Sequence, residues 1–301
     1  MTSVEGVERD WMVATPPDAT LVRRLARMAL DEDGAWYDVT TMALVPPQQR
    51  GTAVVVAREA GVLCGAPGVA AVYEALGGEV RCEPLRTEGS AFHAQDELMR
   101  LTGPLARILQ GERVSLNFLQ RLSGIATLTR SFVDAVVGTN VRIVDTRKTT
   151  PGLRLLEKYA VRVGGGANHR FGLHDGVLVK DNHIAAGRAR GLTLADIVRQ
   201  ARRNAPHPLR IEVEVTSVAE AHEALEAGAE ALLLDNMTSV EMAEVARLVR
   251  GRVPLEASGG ITLERVRDVA EAGVDLVSVG ALTHSARAVD LSLEVVPETS
   301  L

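Results

Sequence analysis

The sequence predicts an α/β protein in two parts: an N-terminal α/β sandwich domain followed by an incomplete, seven-stranded parallel α/β barrel. Two changes of rhythm predict this. From Thr20 to about Gly111 helical and strand-like stretches mix, and after Gly138 short β-branched runs alternate with amphipathic helices. Such alternation marks a parallel sheet covered by helices. Between them lies one long run of helical apolar spacing, roughly Val114–Val137.

In the first part a helix is expected near Leu21–Leu30. A strand follows at Thr52–Ala57, then Gly61–Gly65, a helix near Val69–Leu76, and strands near Glu79–Glu83 and Leu98–Leu101. Gly77-Gly78 and Gly103-Pro104 supply the breaks. In the second part the expected strands are Val141–Asp145, Ala160–Val163, Val177–Lys180, Ile211–Val215, Ala231–Asp235, Val253–Ala257 and Asp275–Val279. The clearest helices are Leu194–Arg203, Val218–Ala227, Ser239–Val249 and Leu263–Ala272. Seven strands are one short of a full barrel. The division is an N-terminal domain over 1–125, completed by 288–301, and a catalytic barrel over 126–287.

The 301-residue chain is 46% hydrophobic, enough for two cores. No run of 18 apolar residues suggests a membrane span. Met1–Thr20 carries Glu5, Glu8, Arg9 and Asp10 and lacks an apolar signal core. Cys64 and Cys82 are the two cysteines, which fits a reducing cytoplasm better than a disulfide scaffold. A net charge of -6 argues against a nucleic-acid partner. Of 33 Lys+Arg residues, the lysines are Lys148, Lys158 and Lys180. Base composition accounts for the arginine excess, yet it draws attention to the lysines that remain.

In an α/β barrel the active site lies at the C-terminal strand ends. The first end reads Asp145-Thr146-Arg147-Lys148-Thr149, the second Gly164 to Arg170, and the third Lys180 to His183. Then come Glu212-Val213-Glu214, Asp235-Asn236, Glu256 to Gly260, and, after Val279, Gly280 to Ser285. Nearly every strand delivers a polar group to one rim. Arg147, Lys148, Arg170 and Lys180 form a cation cluster suited to carboxylates and phosphates. Glu214 and Asp235 are paired carboxylates that suit Mg²⁺ beside a polyphosphate. Ser258-Gly259-Gly260 and Gly280-Ala281 are small enough for backbone N–H groups to close on a phosphate. The rim therefore asks for a ligand with carboxylates, a phosphate and a metal-bound polyphosphate.

Five segments carry a resemblance. They are Asn117 to Ala126, Asp145 to Gly152, Gly164 to Arg170, Lys180 to Ile184 and Leu234 to Met237. In this order they resemble quinolinate phosphoribosyltransferases, also called nicotinate-nucleotide pyrophosphorylases (carboxylating), over about Thr20–Val289. The resemblance implies an N-terminal sandwich, an incomplete barrel, Mg²⁺ dependence and a place in NAD biosynthesis. It also implies a homodimer or higher even oligomer acting on quinolinate and 5-phosphoribosyl pyrophosphate. Position by position, it makes Arg121 the arginine lent to the partner's site. Arg147 and Arg170, with His169 and Lys180, would surround the quinolinate carboxylates, and Lys148 would lie near the phosphoribosyl group. Glu214 and Asp235 would hold the ribose hydroxyls and the metal. Ser258, Gly259 and Gly260, with Gly280 and Ala281, would take the 5-phosphate. Thr146, Val279 and His284 fall on substrate-binding positions of the rim. Lys148, Glu214 and Asp235 are the catalytic candidates. One departure from the family pattern is Ala185 to Gly191, which is longer than the usual turn.

Three alternatives stay open at this point. Lys180 could be a Schiff-base nucleophile, as in barrel aldolases. The chain could be a paralogue of the same fold from molybdenum-uptake gene neighbourhoods, or a binding protein that keeps the pocket without turnover. Asn182-His183 could cap the next helix rather than touch substrate.

Overall fold

The computed structural model describes residues 14–296. In chain order its elements begin with α1 (Ala19–Asp33), a 3-10 turn (Ala35–Tyr37), α2 (Val39–Leu44), β1 (Arg50–Ala57) and β2 (Gly61–Val62). They continue with α3 (Ala66–Ala75), β3 (Arg81–Pro84), β4 (Ala91–Phe92), β5 (Glu97–Pro104) and α4 (Leu105–Ala135). Next come β6 (Arg142–Val144), α5 (Arg154–Val163), β7 (Val177–Val179), α6 (Asp181–Arg188), α7 (Leu194–Asn204), β8 (Ile211–Val215) and α8 (Val218–Glu226). The last are β9 (Ala231–Asp235), α9 (Ser239–Val249), β10 (Leu255–Ser258), α10 (Leu263–Glu271), β11 (Leu276–Ser278), α11 (Ala281–His284) and β12 (Leu291–Val296).

The chain forms two compact units. The described part of the first is 14–128, 151–165 and 286–296, and the second is 129–150 and 166–285. The reading of Met1–Thr20 lies outside the described residues over 1–13, and so do the last five residues, 297–301, of the segment expected to complete the first domain.

The first unit is built on an antiparallel sheet in the order β12-β1-β5-β3. β1 is buried from Ala53 to Ala57 because its β-branched run packs on both faces. α1 starts where the Asp18 carboxylate accepts the Leu21 N–H at 2.9 Å, and stops at Gly34, whose φ of 66° suits glycine. α3 has no side-chain cap of its own at Gly65. Glu88 fills that role, accepting the N–H groups of Gly65 and Ala66 at 2.9 and 2.8 Å and the Tyr159 hydroxyl at 2.9 Å. One carboxylate thus ties α3 to α5.

The second unit is a six-stranded parallel sheet in the order β6-β11-β10-β9-β8-β7. The first strand in the chain neighbours the last, which is the circular order of an α/β barrel rather than an open doubly wound sheet. β6 and β7 are the edges, and a single parallel bridge, Val144–Ala167, extends the β6 side. The barrel is therefore incomplete, as expected, with six strands rather than seven. The expected strand at Ala160–Val163 is the last turn of helix α5. A short apolar run does not tell strand from buried helix, and here the whole stretch Leu156–Val161 is buried at helical pitch. Among the described residues no helix is long and apolar enough to cross a membrane.

The strands end on one rim because capped helices turn the chain back. Thr193 and Asp196, and Thr238 and Glu241, form capping boxes at the starts of α7 and α9, and Ser217 caps α8. After β7, His183 Nδ1 accepts the Lys180 N–H at 2.9 Å, so His183 caps α6.

Candidate active site

A cavity of about 790 Å³ opens at the C-terminal ends of the six strands. Every substrate-binding or catalytic candidate of the second unit lines it. Thr146, Arg147 and Lys148 follow β6; His169 and Arg170 follow the Ala167 bridge; Lys180 follows β7. Glu214 comes from β8, Asp235 from β9 and Ser258, Gly259 and Gly260 from β10. Val279, Gly280, Ala281 and His284 follow β11. Arg121 does not line this cavity and belongs to the first unit.

The floor is fixed by Asp145, which is fully buried. Its two oxygens accept the Asn168 side-chain amide at 2.6 Å and the His169 N–H at 2.9 Å. The loop after β6 is thereby stapled to the segment that carries His169 and Arg170. Arg170 is held in turn by Nη1 donating to the Gly176 carbonyl at 2.9 Å. Burial, and then the neighbouring Arg147 charge, pull the Arg170 pKa below its ordinary value, while Glu212 and Asp175 partly offset them. The guanidinium groups of Arg147 and Arg170 make this side of the cavity suited to an anion.

His169 stands between two carboxylates. Its Nε2 is 3.4 Å from both Glu212 Oε2 and Glu256 Oε2. Burial favours the neutral ring, but the hydrogen bonds that Nε2–H donates to Glu212 and Glu256, and then their charges, outweigh it and lift the pKa to about 10. One contact opposes this, because Nδ1 accepts the Arg170 N–H at 2.7 Å and a cation has no lone pair there. Two carboxylates on the other nitrogen outweigh one amide, and the charged ring is the stronger reading. The three donor atoms lie within 4.8 Å of one another, as metal ligands would. Either protonation state with Nδ1 accepting or charged leaves the proton on Nε2, which is the atom a metal would need.

On the other side Lys180 Nζ lies 3.3 Å from Glu214 Oε2. The Lys180 side chain is 47% exposed. It lacks the apolar pocket that activates a Schiff-base lysine, which removes the structural ground for the aldolase alternative. Asp235 Oδ2 accepts the Asn236 amide at 2.7 Å. Gly259 holds φ at 89°, and a Cβ there would collide with Asn236. Gly280 leaves room for a close approach: a Cβ would sit 3.0 Å from Lys148 Cδ and 3.2 Å from His284 Nε2. Both glycine loops thus present bare backbone to the cavity.

Comparison with known proteins agrees with this geometry. Residues 125–294 match the family description "Quinolinate phosphoribosyl transferase, C-terminal domain", and residues 38–123 match its N-terminal domain. The chain belongs to the quinolinate phosphoribosyltransferase family. A relative named probable nicotinate-nucleotide pyrophosphorylase [carboxylating] from Bacillus subtilis is 42% identical over 264 residues, covering 88% of this chain and 90% of that protein. A relative of the same name from Synechocystis is 45% identical over 252 residues, covering 83% and 84%. The solved nicotinate-nucleotide pyrophosphorylase of Francisella tularensis superposes with a TM-score of 0.86 at 37% identity, covering 94% of this chain and 99% of that one.

The sequence reading places Glu212 and Glu256 at strand ends but gives neither a role in the site. The signal was available in the period of two. Glu212 and Glu214 lie on one face of β8, whose alternate residues Ile211, Val213 and Val215 are buried. Glu256 and Ser258 lie on one face of β10 in the same way. Each of these carboxylates sits two residues before a rim residue, one layer deeper in the barrel.

Proposed function

We infer that this chain joins quinolinate to 5-phosphoribosyl pyrophosphate with loss of carbon dioxide. The products are nicotinate mononucleotide, pyrophosphate and CO₂, in NAD biosynthesis. One observation carries the reading: Arg147 and Arg170 share a cavity with two glycine loops and with the carboxylates of Glu214 and Asp235. A dicarboxylate, a sugar phosphate and a pyrophosphate need these groups together. Two tobacco relatives at 37% and 38% identity are named quinolinate phosphoribosyltransferase [decarboxylating].

The guanidinium groups of Arg147 and Arg170 take the two carboxylates in flat paired contacts, with Lys180 and the charged His169 beside them. Thr146 and His284 complete the rim. Lys148 reaches the phosphoribosyl group, and the Ser258–Gly260 and Val279–Ala281 backbones receive its 5-phosphate. Glu214 and Asp235 hold the ribose hydroxyls and favour the positive charge that develops at the sugar carbon as the pyridine nitrogen attacks. The ring nitrogen is then cationic and stabilises by its charge the electron pair left on the adjacent ring carbon when its carboxylate leaves as CO₂, and a proton from solvent completes that carbon. The donor set fits Mg²⁺, since Glu214 and Asp235 offer hard oxygens from adjacent strands, β8 and β9. When bound, the ion would neutralise the pyrophosphate leaving group.

Arg121 acts from the partner in a homodimer or higher even oligomer, and the monomer has no complete site. The resemblance over Asn117 to Ala126, which carries Arg121, supports this. Two free cysteines, Cys64 buried and Cys82 half-buried, suit a reducing cytoplasm. The test is CO₂ release from carboxyl-labelled quinolinate, with phosphoribosyl pyrophosphate and Mg²⁺ required. Nicotinate is expected to be a poor substitute, because each buried cation left unpaired costs about 1–3 kcal/mol or more. Equal turnover of quinolinate and nicotinate overturns the assignment.

A further inference from the structure

Arg121 lies on α4, and three of its N–H donors are committed within its own unit. Nε and Nη2 both donate to one oxygen, Glu157 Oε1, at 3.2 and 2.8 Å, and Nη1 donates to the Ala286 carbonyl at 2.9 Å. Glu157 is completely buried. A buried carboxylate is unfavourable unless paired and hydrogen-bonded, so this residue needs a reason to be acidic. It sits in the first turn of α5, where the helix dipole also favours negative charge.

The second acceptor is equally well built. The segment that carries Ala286 is clamped along α4. Val289 N–H donates to the Gln120 carbonyl at 3.1 Å, and Gln120 Nε2 donates to the Leu291 carbonyl at 2.9 Å. Gly124 has no Cβ to collide with the Arg287 carbonyl, so backbone passes directly over the helix. α5 is anchored independently through Tyr159 and Glu88. The guanidinium plane is therefore set by two rigid supports. It nonetheless keeps 27% side-chain exposure and lines a cavity of about 460 Å³ with Leu25, Phe118, Leu122 and Leu153. A helix-surface arginine with no further task needs neither a buried counter-ion nor a carbonyl held in register.

We propose that Glu157 is a positioning residue for the reaction: it fixes the Arg121 guanidinium in the orientation in which it enters the partner's site. This rests on the reading that Arg121 serves the partner. Without Glu157 the head group regains its rotamers, and an anion must order it on binding.

The experiment uses full-length Glu157→Gln, Arg121→Ala and Arg147→Ala proteins, each checked for fold by circular dichroism and thermal melting. Glu157→Gln alone is expected to lower kcat/KM for quinolinate by about 10- to 100-fold, the range for loss of a supporting contact rather than of the binding group itself. KM for phosphoribosyl pyrophosphate is expected to change little. After confirmed subunit exchange, Glu157→Gln mixed with Arg147→Ala recovers activity toward about a quarter of wild type, the share set by one intact site in each mixed dimer. Mixed with Arg121→Ala it recovers none, because both defects then fall on donors of the same kind. A Glu157→Gln protein with wild-type kinetics overturns the proposal. So does an equal loss toward both substrates without recovery against Arg147→Ala, the result of a purely structural role. The Arg121→Ala and Arg147→Ala mixture is the control for the underlying reading, and no recovery there overturns that reading and the proposal with it. If Glu157→Gln does not fold, Glu157→Asp keeps the charge and shortens the reach; it is expected to show a smaller loss and the same pattern of recovery.

Discussion

His169 gives a pH dependence that can be worked from the structure. Glu212 and Glu256 raise its pKa from the ordinary 6.5 to about 10. A raised histidine contributes stability that is fully present below about pH 6.5 and is lost as the pH rises through about 10. The whole rise corresponds to at most about 5 kcal/mol. From pH 7 to 9 the folded ring is charged and the unfolded ring neutral, so stability attributable to His169 falls by about 1.4 kcal/mol per pH unit. The perturbation is His169→Asn, which removes the proton while leaving a polar side chain. Urea unfolding of both proteins at several pH values between 6.5 and 9.5 isolates the difference, because other titrating groups are common to both. The two curves are expected to converge as the pH rises. Parallel curves, or a His169 titration by NMR within one unit of 6.5, would refute the assignment of the charged ring.

Two further outcomes are expected. Arg170→Ala weakens quinolinate binding by about 10- to 150-fold, the equivalent of a charged hydrogen bond, with phosphoribosyl pyrophosphate binding preserved; titration calorimetry with each ligand checks it, and a parallel loss would mean the pocket is mis-assigned. Gly259→Ala forces a side chain into a φ of 89° against Asn236; it is expected to destabilise by about 1–3 kcal/mol in thermal unfolding and to raise KM for phosphoribosyl pyrophosphate more than for quinolinate.

Much of the site was legible because the barrel delivers chemistry at strand ends. Arg147, Lys180 and Asp235 each follow a short β-branched or aliphatic run, and position alone marks them. The strand expected at Ala160–Val163 failed for a local reason, since Ala-Val-Arg-Val reads as β in isolation while Leu156 and Glu157 before it make it a buried helix. Glu212 and Glu256 were legible as strand-end residues, but their role beside His169 emerges only when the alternation is carried one layer below the rim. The Arg121–Glu157 pair was not visible at all. Its partners are 36 residues apart on two helices, and no periodicity links them. Lys158 shows the same limit: it is fully buried, though the scarcity of lysine alone had drawn attention to it.

The antiparallel pairing of β1 with β12 has a consequence for biosynthesis. The two strands are joined by contacts such as Arg58–Glu294, 236 residues apart. At a translation rate of about 5–20 residues per second, β1 waits about 10–50 seconds for its outer neighbour. During that time β5 can cover one edge while Val54, Val55 and Val56 leave the other edge unpaired, an apolar template for any passing strand. Nascent chains on one messenger RNA emerge side by side, each with this edge open. The span over which β1 must stay apart from its neighbours' copies is thus set by the length of the barrel encoded before β12.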